Sequence, residues 1–167
     1  MLPINKRQST KTVRLSDYFD EETSSAWRNA DNATRDAVKA AVGDFLVEQI
    51  NKHLDRGESP VENGAYKRTL AKKKGQRGLP RISRLLEDGD MRGHITHQAE
   101  KGTDLRVGIF SNAPKLERWK SSGHNLGDSV TGVQRQFIPP EGIDFTKTIE
   151  DRILGVIRGA LFTDEEE

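Results

Sequence analysis

The sequence predicts an α+β fold: a small antiparallel sheet packed by a long N-terminal helix and a C-terminal helix, with long loops and an extended arm. Two observations predict the helices and a third predicts the sheet. Apolar residues recur at steps of three and four over residues 32–54 and again over 145–162, the period of one buried helix face. Between them, residues 91–97 and 105–110 are strand-length runs on either side of a Gly-containing turn.

Taken in order, residues 1–14 read as an extended arm. Pro3, Asn5, Ser9 and Thr10 stand among scattered charges with no sustained apolar period, and such an arm orders only on a neighbour. Leu15-Ser-Asp-Tyr-Phe then begins a short helix through Trp27, with Ser16 or Asp17 as its N-cap. The long helix follows. Val38, Val42, Phe45, Leu46, Ile50 and Leu54 mark its buried face, Asp31 or Asn32 caps its start, and Arg56-Gly57 with Pro60 ends it. At 1.5 Å per residue it is roughly 33 Å long, enough to cross a small sheet.

Residues 58–84 carry Gly64, Gly75, Gly78 and Pro80 among eight Lys or Arg side chains and read as a long basic loop, with one helical turn at 66–73. The two strand-length runs are joined through Ala99-Glu-Lys-Gly-Thr as a hairpin with Gly102 in the turn. Alternation puts Met91, Gly93, Ile95 and His97 on one face of the first strand, and Leu105, Val107 and Ile109 on one face of the second. A short helix is expected at 115–120 and a Gly- and Ser-rich crossing loop at 121–132. A third strand at 133–138 stops at Pro139-Pro140, since proline cannot donate to the ladder. The last helix buries Phe145, Ile149, Ile153, Val156, Ile157 and Leu161, and the acidic tail 163–167 frays. Residues 15–162 are therefore one α+β domain between an arm and a tail.

Composition limits how much this domain can bury. Of 167 residues, 33% are hydrophobic and 32% charged, with a mean hydropathy of −0.76. A core that thin implies partial disorder in isolation or burial completed against other copies or partners. There is no cysteine, so disulfides and thiolate metal sites are excluded. No signal-like apolar run opens the sequence and no stretch is apolar enough to span a bilayer, so a soluble intracellular product without membrane contact is expected.

The net charge of +1 conceals segregation. Residues 1–55 hold 8 basic and 9 acidic side chains (net −1), residues 56–135 hold 16 and 9 (net +7), and residues 136–167 hold 3 and 8 (net −5). A basic middle and an acidic C-terminal part can attract one another between copies, or the basic part can face nucleic acid. The balanced total argues against a dedicated DNA-coating protein.

The chemistry-bearing residues do not assemble into a catalytic or metal signature. His94 and His97, three apart on an expected strand, point to opposite faces, and no Cys or nearby carboxylate completes a shell. Gly127-Asp128-Ser129 lacks both the Gly-x-Ser-x-Gly spacing and the strand-turn-helix context of a hydrolase nucleophile. Neither common phosphate-binding glycine loop occurs. Glu87, Asp88 and Asp90 could bind Mg²⁺, but read as solvent-facing charges at a turn. No cofactor, metal or catalytic residue is assigned. Of the two tryptophans, Trp27 is expected on the long helix, and Trp119 is open between an interface anchor and local core.

Several motifs from Tyr66 to Leu161 occur in a telling order: Thr69-Leu70-Ala-Lys-Lys-Lys-Gly75, the Leu-rich segment 85–93 ending in Gly93, Val107-Gly108, Trp119-Lys-Ser-Ser-Gly123, and Arg135-Gln136-Phe137 before the last helix. In that order the chain resembles the virion-morphogenesis family of tailed bacteriophages, the tail-completion, neck or head-tail connector proteins. The resemblance implies a ring-forming α+β subunit, six- or twelve-fold by analogy, lying between the portal vertex and the tail or at the tail's head-proximal end. It implies portal-side or adaptor-side and tail-side virion proteins as partners, and no catalytic residues.

The expected function is thus non-enzymatic: a virion structural protein, assembled in the host cytoplasm, that joins a DNA-filled head to the tail. Interface or DNA-channel candidates are Lys67, Arg68, Lys72, Lys73, Lys74, Arg77, Arg81 and Arg84, together with Trp119, Arg135 and Phe137. Contact with a neighbour, non-specific contact with packaged DNA, and an ordinary solvated loop all stay open for the cations. A tail terminator is a variant of the same reading. The alternative of a different class is a small nucleic-acid-binding module using segment 66–84, in which the lack of aromatic residues beyond Tyr66 argues against single-strand stacking.

Overall fold

The hairpin forms in the expected place with shifted bounds. In a computed structural model of the chain, which describes residues 9–56, 58–64, 93–110, 113, 137–139 and 142–162, strand β2 is Thr96–Ala99 and strand β3 is Asp104–Ile109. They pair antiparallel with His97 opposite Val107 and Ala99 opposite Leu105. The turn between them needs a left-handed residue, and Gly102 supplies it at φ +64°. Of the expected strand start, residues 91–92 lie outside the described residues and residues 93–95 are corrected: Gly93 is helical, His94 lies in a turn and Ile95 is buried just before the strand.

The third strand comes from the other end of the chain. Strand β1, Ser9–Arg14, pairs antiparallel with β3, giving the order β1-β3-β2. The reading of residues 9–14 as part of an arm that orders only on a neighbour is therefore corrected, because their partner is in the same chain. The signal was weak because only Val13 and Leu15 alternate as apolar residues. Lys11 takes the third inward position, opposite Val107, its stem covered and its amine reaching a carbonyl. Of the strand expected at 133–138, residues 137 and 138 lie outside any strand, and both side chains are in the core. The arm's residues 1–8, the helical turn at 66–73, the helix at 115–120, the crossing loop 121–132, residues 133–136 and the tail 163–167 lie outside the described residues.

The first helical segment divides in two. Leu15–Tyr18 forms a 3₁₀ turn, and helix α1 is Glu21–Asn29, capped by Asp20, whose carboxylate accepts from the Thr23 amide at 2.7 Å. Asp20, not Ser16 or Asp17, is thus the N-cap, since only it stands three residues before an unpaired first-turn amide. Trp27 is buried, its ring 5.6 Å from that of Phe19 and 5.6 Å from the Arg35 guanidinium of the next helix.

Helix α2, Asn32–Arg56, is the expected long helix, and Asp31 caps it by accepting from the Thr34 amide at 2.8 Å. All six marked apolar residues are buried, along with Lys39, Gly43, Gln49 and His53. The buried face is wider than one stripe because α2 packs on β2 and β3 and also on helix α3, Lys147–Leu161. Leu105, Val107, Ile109 and Val13 from the sheet meet Ile149, Ile153 and Ile157 of α3 and the α2 residues in one core. The architecture is α+β, a three-stranded antiparallel sheet packed by helices.

Gly43 sets how closely α2 approaches β2. A Cβ there would lie under 3.0 Å from three atoms of the His97 ring, whereas one at Gly155, on the open side of α3, would meet nothing. Gly43→Ala is expected to lower unfolding stability by about 1–2 kcal/mol, the clash outweighing the helix-propensity gain. Gly155→Ala should raise it by about 0.5–1 kcal/mol. Denaturant unfolding of the two variants measures both.

Candidate functional site

The candidates read from sequence fall into two sets. Lys67, Arg68, Lys72, Lys73, Lys74, Arg77, Arg81, Arg84, Trp119 and Arg135 lie outside the described residues. Phe137 is described and fully buried within the core cluster. Its place among interface candidates is corrected: the ring could meet a neighbour only by leaving the core.

One group of described ionisable side chains was not marked in the sequence. It lines an open cleft of about 480 Å³ bounded by Lys11, Thr12, Val13 and Arg14 of β1, Asp17 and Tyr18 of the 3₁₀ turn, Asp144, and Glu150 of α3. Strand β1 turns Lys11 inward, and its amine donates to the Ile143 carbonyl at 2.6 Å and stands 4.0 Å from Asp144. The 3₁₀ turn presents the Tyr18 hydroxyl, which donates to one oxygen of Glu150. The other Glu150 oxygen accepts from the Phe145 amide at 3.0 Å.

That last bond is a variation on helix capping. Thr146 precedes α3 and makes no side-chain cap bond. The carboxylate of Glu150 instead reaches back past it to an amide outside the helix, much as the acidic partner of a capping box does. The neighbouring orphan donor, the Lys147 amide, is met from elsewhere by Glu62 at 3.1 Å. The Thr146 amide donates to the Pro60 carbonyl at 2.8 Å, and an isolated bridge pairs Val61 with Phe145. The start of α3 is thus held by the loop after α2 on one side and by the N-terminal turn on the other.

Burial pushes the Glu150 carboxyl above its usual range, opposed by the bond from Tyr18 and reinforced by the charge of Asp144. Burial also pushes the Tyr18 phenol far up, with the hydrogen bond to Glu150 adding to it. The phenol therefore keeps its proton, and Lys11 is already engaged by a carbonyl. These groups satisfy one another, and what the arrangement does is join β1 and the 3₁₀ turn to the start of α3.

A second polar contact crosses from sheet to helix. The fold brings His97 a carboxylate from a distant part of the chain: its Nε2 lies 2.7 Å from Asp44 of α2. Among the described residues, no group of three or more His, Asp or Glu side chains is placed to hold a metal ion, and no helix is long and apolar enough to cross a membrane. No protein-family model, curated protein or solved structure matches this chain.

The cleft escaped sequence reading because its bonded partners Tyr18 and Glu150 stand 132 residues apart. The one local sign was Glu150 in the first turn of the last helix. For Phe137, the expected outcome separates core from surface: Phe137→Ala should cost about 3–5 kcal/mol in chemical denaturation, where a surface contact residue would change stability by about 0.5 kcal/mol or less.

Proposed function

We propose that this chain is a non-enzymatic structural protein of a tailed-bacteriophage virion, a neck or tail-completion subunit that forms a ring and joins the DNA-filled head to the tail. The observation that carries the reading is the ordered series of motifs from Thr69-Leu70 through Val107-Gly108 and Trp119 to Arg135-Gln136-Phe137. Two physical features support it. The body is a small sheet packed by helices around one core, the kind of rigid unit a ring needs. The charge segregation along the sequence, +7 over residues 56–135 and −5 over 136–167, suits a head-to-tail ring, which uses two unlike surfaces per subunit.

In this mechanism the protein works by geometry. Subunits close around an axis, the acidic part of one meets the basic segment of the next, and the ring presents different faces to the portal side and to the tail. Placement as a tail terminator is a variant of the same mechanism.

The net charge of residues 56–135 also favours a second reading, a nucleic-acid-binding module that grips phosphates through segment 66–84. Light scattering after size exclusion, at low and moderate salt and with duplex DNA present or absent, separates the two. Rings, or a monomer that ignores DNA and adds only to partial virions, are expected. A monomer that shifts onto DNA and is released as salt rises would overturn the neck reading.

Reversing the charges of Lys72, Lys73 and Lys74 to Glu asks what that segment meets. Impaired ring formation is expected if the three pair with a neighbouring subunit. Intact rings with altered DNA retention would place them at the lumen instead, and assembly of particles from the variant is the measurement.

A further inference from the structure

Glu150 is the one side chain of the cleft that bonds to both of the elements it joins. It accepts from the Tyr18 hydroxyl of the 3₁₀ turn and from the Phe145 amide at the entrance to α3. It faces Lys11 and Arg14 from β1, Asp17 and Tyr18 from the turn, and Asp144 from its own approach to the helix, while α2 sends no side chain to the cleft wall. Among the described residues strand β1 lies at a sheet edge and pairs with β3, to whose Asp104 its Arg14 is also ion-paired at 3.5 Å. Further contacts of the strand and the turn after it are the Lys11 bond to the Ile143 carbonyl and its approach to Asp144, the Leu15 amide bond to the Thr103 carbonyl, and the Tyr18 bond to Glu150.

We propose that Glu150 is a proton-operated clasp: when protonated it fastens the N-terminal strand and turn to the C-terminal helix, and when ionised it holds them less tightly. The chemistry allows both states to keep both bonds. The ionised carboxylate accepts twice, from Tyr18 and from Phe145. The protonated acid turns one bond round, donating its O–H to the Tyr18 oxygen while its carbonyl still accepts from Phe145. What differs is the charge, which the half-buried site solvates less well than water does. A compensating charge, the Lys11 ammonium, is spent on the Ile143 carbonyl and partly on Asp144, and Asp144 itself opposes a second negative charge.

The direction follows from linkage. A carboxyl raised above its unfolded value binds its proton more tightly in the folded chain. The join is therefore strongest below the unfolded carboxyl range and weakens as pH rises through the folded value. Acidification therefore tightens the clasp, and raising the pH loosens it.

Carboxyl ¹³C titration by NMR on the full chain tests the clasp directly. The Glu150 midpoint should lie above that of exposed glutamates, and should move further up in Tyr18→Phe and in Lys11→Met, since each removes a group that favours the charge. A Glu150 midpoint at or below the exposed ones would overturn the proposal. Glu150→Gln keeps a donor and an acceptor in place of the protonated acid. Above the Glu150 midpoint found in that titration, it should slow amide exchange at Phe145 and across β1 several-fold relative to the unaltered chain, with the α2 amides as the internal reference. The difference should vanish well below that midpoint. Exchange in the variant that is equal or faster above the midpoint, or a difference of the same size on both sides of it, would equally sink the idea. Neither readout depends on ring formation, so failure of the clasp and failure of the proposed assembly role are told apart.

Discussion

One helix has to cover two surfaces, and the rest of the structure follows from that constraint. A chain with 33% hydrophobic residues cannot supply separate cores for a sheet and for a helix pair. Helix α2 serves both, with Val38, Val42, Leu46, Ile50 and Leu54 fully buried and α3 and the sheet both packed on it. The side of α2 toward β2 requires close approach, which Gly43 permits by leaving room for the His97 ring. The side toward α3 uses Phe45, over which the Arg152 guanidinium lies at 5.0 Å.

Where apolar residues run short, long polar ones complete the interior. Lys39 is buried along its stem and ends on the Glu100 carbonyl at 2.6 Å, fastening the hairpin turn to α2. His53 is buried and bonds within its own helix to the Gln49 carbonyl at 2.8 Å. Lys11 fills an inward strand position in the same manner, ending on Ile143. Each of these three side chains contributes apolar area and still satisfies its polar end, so none of the three leaves a buried polar end unpaired. At the periphery Arg158 has a similar double part, packing on the Phe162 ring and pairing with Asp20 and Glu22 to tie α3 to the start of α1.

These ties place the two ends of the described body side by side. Strand β1 and the 3₁₀ turn meet the start of α3 at the polar cleft, and α1 meets its later turns through Arg158. For a subunit whose proposed work is to hold a fixed shape between unlike neighbours, such cross-links matter more than any single reactive group. They make the first and last described elements one mechanical unit.

The sequence by itself determined the elements whose signal is local. The 3.6-residue period of α2 and α3 and the glycine turn of the hairpin are properties of neighbouring residues, and so is the cap at Asp31; each formed where expected within a few residues. The tertiary structure alone decided the third strand, the core position of Phe137 and the Lys11–Tyr18–Glu150 cleft. Ser9–Arg14 carries too few apolar residues to declare a strand, and it becomes one because β3 offers an open edge and the shared core takes in Val13. The cleft depends on partners 132 residues apart, and no window along the chain contains both. A period records which face a helix will bury, but which residue waits on the other side is fixed only when the chain has folded back on itself.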